Sequence, residues 1–194
     1  MSAAAFGAME GAVVAYLRAK LGAARGSRLP LGAVWEALRK VAPVARVSVA
    51  VLERARPAAA AAGGAPAGGG GAFSYYGVGA SDGVVDLAEP GFRVEPGDDR
   101  NVANVLTGAP PLVHALSADA APLGAVDRTL WMKGIRSTGV FPLVCPAGTL
   151  FATMNVGSTA PEGLTDAIRP LLAAAAGELQ GPLWRALGAA RGVA

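Results

Sequence analysis

The sequence predicts an α+β protein built on a mainly antiparallel sheet. Three observations carry that reading. Residues 134–157 hold no charged side chain after Arg136 and read as a hairpin: Ser137–Val144 is rich in β-branched and aromatic residues, Pro146-Ala147-Gly148 punctuates a turn, and Thr149–Val156 runs apolar again. Strand-like segments outnumber the helices that lie between them, so parallel pairs would lack their crossovers. Both ends of the chain carry helical apolar periodicity instead.

In order, Phe6, Met9, Val13, Leu17 and Leu21 recur at three- and four-residue spacing and form one stripe of a first helix. The same segment holds Arg18, Lys20, Arg25 and Arg28 against Glu10 and is rich in alanine, the balance of an organellar transit peptide. Both readings of residues 1–28 stand, with chloroplast or mitochondrion as the alternative to the cytoplasm. A second helix runs from about Pro30 to Val41 with Leu31, Val34, Trp35 and Leu38 on one face, and Pro43 ends it. Arg46 to Glu53 alternates as a strand, placing Val47, Val49 and Val51 on one side.

Residues 55–72 are low complexity, too poor in large apolar side chains to offset the entropy of ordering, and read as a flexible insertion. Strands follow at Phe73–Val78 and Gly91–Val94. Asp98 or Asp99 caps a helix over Arg100–Leu106, which Gly108 and Pro110-Pro111 terminate. Leu112–Leu116 is a short strand, and Val126–Lys133 a helix stopped by Gly134. After the hairpin, Thr159-Ala-Pro-Glu162 has capping-box spacing and Thr165-Asp166 offers a second start. A long helix follows with Leu164, Ile168, Leu171, Leu172, Leu179, Leu183 and Leu187 on one face; Gly181-Pro182 is expected to kink or divide it. The organisation is a helical extension (1–28), a domain (29–188) interrupted at 55–72, and a tail (189–194).

Composition narrows the function. Seventeen basic against 14 acidic residues give a net charge of +3, scattered without a concentrated basic face, so no nucleic-acid partner is expected. The positive mean hydropathy comes from alanine, and no stretch of about 20 strongly apolar residues predicts a membrane span. The solitary Cys145 excludes an internal disulfide and a cysteine-based zinc site. Ser81 in Gly79-Ala-Ser-Asp-Gly83 lacks the strand-to-helix context of a nucleophile elbow, and Gly68–Gly71 lacks the Lys-Ser/Thr of a phosphate loop.

Three blocks then resemble the GAF domain family: Val102-Ala-Asn-Val-Leu106-Thr107-Gly108-Ala-Pro110; Gly134-Ile-Arg136-Ser137 followed by Phe141-Pro-Leu143; and Gly148-Thr-Leu150 through Asn155-Val-Gly157-Ser158 with a terminal helix. The resemblance covers about residues 30–187. It implies a central antiparallel sheet with the terminal helices on one face, and short helices and loops forming a small-molecule pocket on the other. GAF-like domains sense cyclic nucleotides, bilins or other metabolites, or mediate dimerisation, and regulate an attached or separate output module. The asparagine-lysine-phenylalanine-aspartate-glutamate signature of cyclic-nucleotide-binding members is absent, and Ala152 replaces a common glycine.

Within that frame the expected ligand-facing residues are Tyr75 or Tyr76, Asn101, Asn104, Thr107, His114, Trp131, Arg136 and Thr138, so that a mostly apolar pocket has a few convergent donors. Each also has a plain structural reading: Trp131 as core, Arg136 as a cap or ion pair, and His114, flanked by Leu112 and Leu116 on one strand face, as a core histidine. The terminal helices are expected to carry dimerisation or output through Phe6, Leu17, Leu21, Leu171, Leu179, Leu183 and Trp184. The bilin-attaching relatives pair their cysteine with a neighbouring histidine; Cys145 precedes Pro146 at a turn, which argues against a covalent bilin. GAF-like enzymes that reduce free methionine sulfoxide work through several cysteines, and one thiol cannot close an intramolecular disulfide. The expectation is a non-catalytic sensory or regulatory domain with a small-molecule ligand, its identity open among cyclic nucleotides and other metabolites, acting as a homodimer or through an output protein. The alternative is a ligand-free structural dimerisation module.

Overall fold

The computed structural model describes residues 2–57, 72–77, 83–106, 109–116 and 124–192. In chain order the elements are α1 (Ala3–Gly22), β1 (Arg28–Leu29), α2 (Leu31–Arg39), β2 (Arg46–Pro57), β3 (Phe73–Tyr76), β4 (Val85–Asp86), β5 (Phe92–Val94), α3 (Arg100–Leu106), β6 (Leu112–Ala115), α4 (Ala125–Met132), β7 (Ser137–Val144), β8 (Thr149–Ser158) and α5 (Arg169–Ala190), the last entered through a 3-10 turn at Asp166–Ile168. Most of the low-complexity segment, Thr107 with Gly108, and the serine of the Gly79–Gly83 turn lie outside the described residues.

The α+β expectation holds. Six strands pair in the order β5-β3-β2-β8-β7-β6, every neighbour antiparallel. The expected hairpin, β7–β8, lies inside this sheet, with β2 on its other side. Because strand side chains alternate between faces, each central strand serves two cores. Val47, Val49 and Val51 of β2, Phe141 and Leu143 of β7, and Phe151, Met154 and Val156 of β8 join Val13, Leu17 and Leu21 of α1 and Leu171, Leu172, Leu179 and Leu183 of α5 in the larger core. Ala50, Leu52, Phe73, Tyr75 and Val140 face the other way, against Val102 and Val105 of α3.

Leu17, Leu21, Leu171, Leu179 and Leu183 are each 0% exposed within this one chain. Their apolar surface is used inside this chain, packing α1 and α5 on the sheet. Phe6 is half-buried against the same core, and Trp184 remains 38% exposed, its ring edge-on to Phe151 with centroids 5.0 Å apart. Arg18 of α1 grips Glu178 of α5 with two bonds of 2.7 and 3.2 Å. Being exposed and screened by solvent, that pair adds little; the leucines hold the helices together.

Four local expectations are corrected. β2 continues beyond Glu53 to Pro57, because β8 offers Leu150 and Thr149 as partners for Arg56 and Pro57 after a shift in register. The two-residue β1 pairs with β4, a tie that no alternation announced. The Thr159–Glu162 capping box starts no helix: Ser137 Oγ donates to the Ala160 carbonyl at 2.9 Å, and Ser158 Oγ accepts from Ala160 N at 3.1 Å, so the loop is bound to the ends of β7 and β8. The long helix begins only at the second site. It also runs undivided through Gly181-Pro182, since Leu179, Leu183, Ala186 and Leu187 are anchored in the core on both sides of the proline.

Leu179→Ala should therefore lower stability by about 2–5 kcal/mol in urea unfolding, whereas Met132→Ala, at 80% exposure, should change it by under about 0.5 kcal/mol.

Candidate functional site

The second face of the central strands is polar where the first is apolar. Arg46 and Ser48 on β2, Thr138 on β7, and Thr153 and Asn155 on β8 share this face, because Ser48 lies opposite Asn155 and Arg46 opposite Gly157 in the β2–β8 register. Gly157 has a steric reason: a Cβ there would stand 2.9 Å from Arg46 Cγ, so the glycine lets the arginine stem lie across the strand. Arg46 donates to Ser48 Oγ at 2.9 Å, and Thr153 Oγ1 donates to Asn155 Oδ1 at 3.1 Å.

The short helices cover this face. Asp99 caps α3, its Oδ1 accepting from Val102 N at 3.0 Å, as the sequence predicts. Its Oδ2 accepts from Tyr75 Oη at 2.5 Å. The start of α4 is stitched to the turn before α3 by Val126 N donating to the Asp98 carbonyl at 3.0 Å. At its other end α4 stops at Gly134, whose φ of +84° suits a residue without a Cβ.

Between helices and sheet lies a chamber in two parts. The outer part, about 470 Å³, is walled by Arg46, Tyr75, Phe92, Arg93, Val94, Asp98, Ala125, Val126, Thr129, Leu130 and Lys133. The smaller part, a neck of about 30 Å³, shares the Arg46, Tyr75, Val126 and Leu130 walls, and its further walls include Asp99, Asn101, Asp127, Thr138 and Asn155. The outer part falls in the usual size range of small-molecule pockets; the neck has room for about one or two water-sized atoms.

A polar network lines the neck. Asn101 Nδ2 donates to Asp127 Oδ2 at 3.0 Å and meets His114 Nε2 at 3.3 Å. Thr138 Oγ1 lies 3.3 Å from His114 Nδ1. The same hydroxyl is 3.4 Å from Nε2, so the threonine reaches both ring nitrogens. Burial pushes the His114 imidazole down, against a smaller opposing pull from Asp99. Burial, and then the Asp99 charge, push the Asp127 carboxyl up to about 6. Tyr75 is raised well above its ordinary value by burial and by Asp99, so the phenol stays protonated and donates. Burial lowers Arg46, offset by Tyr75 and Asp99.

The structure brings Tyr75, Asn101 and Thr138 to the chamber and sets His114 directly behind them. Tyr76, one residue on, packs against the larger core on the opposite face and lines no part of it. Trp131 and Arg136 also stand away from it: the guanidinium stacks 3.9 Å over the indole and donates to the carbonyls of Trp131 and Ile135 at 2.8 and 3.0 Å, finishing α4. Asn104 is exposed on α3 and lines neither part; Thr107 lies outside the described residues. Arg46, Asp99 and Asn155 emerge as site residues only from the fold, whereas Asp127 is suggested in the sequence only by its nearness to His114. The available signal was polarity within buried strands: Asn155 interrupts an uncharged apolar run, and Arg46 opens the alternation that includes Ser48.

No protein-family model matches the chain, and no curated protein matches it in sequence. Among solved structures, the one described as "Putative GAF sensor protein" from Burkholderia vietnamiensis aligns over 93% of this chain and 97% of its own, with a TM-score of 0.58 at 11% identity. The fold is GAF-like. A domain described as belonging to a "putative two-component sensor histidine kinase protein" from Sinorhizobium meliloti 1021 is also similar, with a TM-score of 0.48, 16% identity, and coverage of 79% of this chain and 88% of that one. In the GAF-like frame the chamber lies on the sheet face opposite α1 and α5. Among the described residues no group of three metal-ligating side chains stands together, and no helix is long and apolar enough to cross a membrane.

The Asp127 shift has a definite sign. A carboxyl at about 6 in the fold and near 3.8 when unfolded binds more protons folded, so its contribution is unfavourable at pH 7 and relieved as pH falls toward 4. Asp127→Asn should be more stable than the wild type at pH 7, by on the order of 1 kcal/mol, with the advantage closing between pH 6 and 4 in urea titrations.

Proposed function

We propose that the chain is a sensory or regulatory domain that binds a small molecule in the chamber under α3 and α4 and carries out no chemistry on it. The observation that carries this reading is the chamber itself: an open volume of about 470 Å³ with apolar walls from Val94, Val126 and Leu130 and an adjoining polar neck. That combination is what holds and orients a small ligand. A solely structural module would have filled the same space with side chains. The similarity to a protein described as a GAF sensor supports the sensory reading, and cyclic nucleotides and other small metabolites are both candidate ligands.

Transmission follows from the two-faced strands. The neck residues Arg46, Thr138 and Asn155 sit on β2, β7 and β8, whose opposite faces carry α1 and α5. Gln180 of α5 accepts from Val144 N of β7 at 2.7 Å, a direct tie between sheet and helix. A ligand that favours one position of α4 over the sheet shifts the population of terminal-helix packings by its difference in affinity for them. On this reading α1 belongs to the folded domain, and the output partner or second copy meets the outer faces of α1 and α5, where Trp184 is exposed.

A thermal-shift screen of the full chain against cyclic nucleotides, bilins and small metabolites tests the reading. A true ligand should raise the Tm, and Thr129→Trp, which blocks the chamber from its exposed wall, should abolish that rise while leaving the ligand-free Tm within a few degrees. Stabilisation that survives Thr129→Trp would place the ligand elsewhere.

A further inference from the structure

Donors and acceptors in the neck are unequal. On the helix side, both oxygens of Asp99 are taken, by Val102 N and Tyr75 Oη, and Asp127 accepts from Asn101. On the sheet side, Asn155 is 9% exposed and its buried Nδ2 has no hydrogen-bond partner. The Arg46 fork donates to Ser48, and among the described residues no carboxylate forms an ion pair with it. Ser48 is the cross-strand partner of Asn155; side chains so paired stand about 5 Å apart at Cβ. Arg46 and Asn155 thus stand on neighbouring strands and both line the neck, the amide nitrogen itself being buried.

We infer that the ligand is a small organic acid, whose carboxylate is received by Arg46 and Asn155 and whose apolar body lies against Phe92, Val94, Val126 and Leu130. This rests on the chamber being the ligand site. The planar guanidinium fork matches the two oxygens of a carboxylate. In the outer walls Arg93 is already paired with Glu53 and Glu95 at 2.9 and 3.2 Å and Lys133 is set against Asp98, so the preference for an anion rests on Arg46 in the neck.

Asp99 and Asp127 oppose an incoming negative charge, and the neck answers this through protonation. Asp127 has Asp99, Asn101 and Tyr75 as its charged and polar neighbours, with His114 beyond the amide and Arg46 on the facing wall of the neck, and its carboxyl already stands at about 6. A carboxylate arriving nearby raises it further, so binding takes up a proton and tightens as pH falls from 8 to 6.

The full chain, titrated calorimetrically and followed by NMR, distinguishes the outcomes. The probes are benzoate and 4-methylpentanoate, their uncharged counterparts benzamide and 4-methylpentan-1-ol, and phenyl phosphate. The carboxylates should bind at least about tenfold more tightly than the uncharged pair, as expected for charge-assisted hydrogen bonds. They should shift the signals of Val94, Val126 and Leu130, and bind more tightly at pH 6 than at pH 8. Arg46→Gln and Asn155→Leu should each erase the preference; the comparison within the wild type stands even if these variants do not fold. Equal binding of the uncharged probes at the same residues overturns the carboxylate assignment and leaves the chamber as a ligand site. Tighter, Arg46-dependent binding of phenyl phosphate overturns it in favour of a phosphate. If no probe moves any chamber signal, both the acid and the chamber reading fall.

Discussion

The molecule depends on one constraint: β2, β8 and β7 lie at the centre of the sheet and must satisfy a different environment on each face. On one side valine, phenylalanine, leucine and methionine alternate into the core under α1 and α5. On the other, the same strands present Arg46, Ser48, Thr138, Thr153 and Asn155. A slip of one residue in register would exchange the two sets and bury an arginine and an asparagine among the leucines. The apolar face thus fixes the register, and the register assembles the polar face. The site is in this sense a by-product of the core that holds its scaffold.

The helices divide the same way. α1 and α5 are long and share many fully buried leucines, whereas α3 and α4 are short and are held by Val102, Val105 and the half-buried Val126, with hydrogen bonds at Asp98 and Asp99. Cooperative stability resides where buried apolar area is greatest, and the elements with the fewest such contacts are the ones that open most readily. The chamber lies under the lightly held pair. This arrangement suits a binding site: the floor is rigid, and the cover can respond to what lies beneath it.

The architecture was largely legible because it rests on local pattern. Alternation marked β2; an uncharged run rich in β-branched and aromatic residues, broken by a turn, marked β7 and β8; the Asp99 cap and Gly134 bounded α3 and α4; a three- and four-residue stripe marked α1. The short β1–β4 tie was not legible, as two residues carry no period. The site was legible only in part. Tyr75 and Tyr76 could be assigned to opposite faces but not to a particular one, since that depends on pairing with β2 and β5. Arg46 and Asn155 are distant in sequence and meet only through cross-strand register. Arg136 and Trp131 appeared ligand-facing from their place in the resembling pattern, yet the arginine is consumed in closing its own helix. Pro182 misled for a related reason: tertiary anchoring on both sides overrides a local helix breaker.

The central claim is that the second face of the sheet encloses real, unfilled space under α4. A crystal structure of the ligand-free protein under xenon pressure tests it directly, because xenon occupies apolar cavities and is readily located. The account predicts a xenon atom in the outer chamber against Val94, Val126 and Leu130, with Asn155 still facing the neck. An empty difference map together with Val126 and Leu130 packed down onto Asn155 would contradict it.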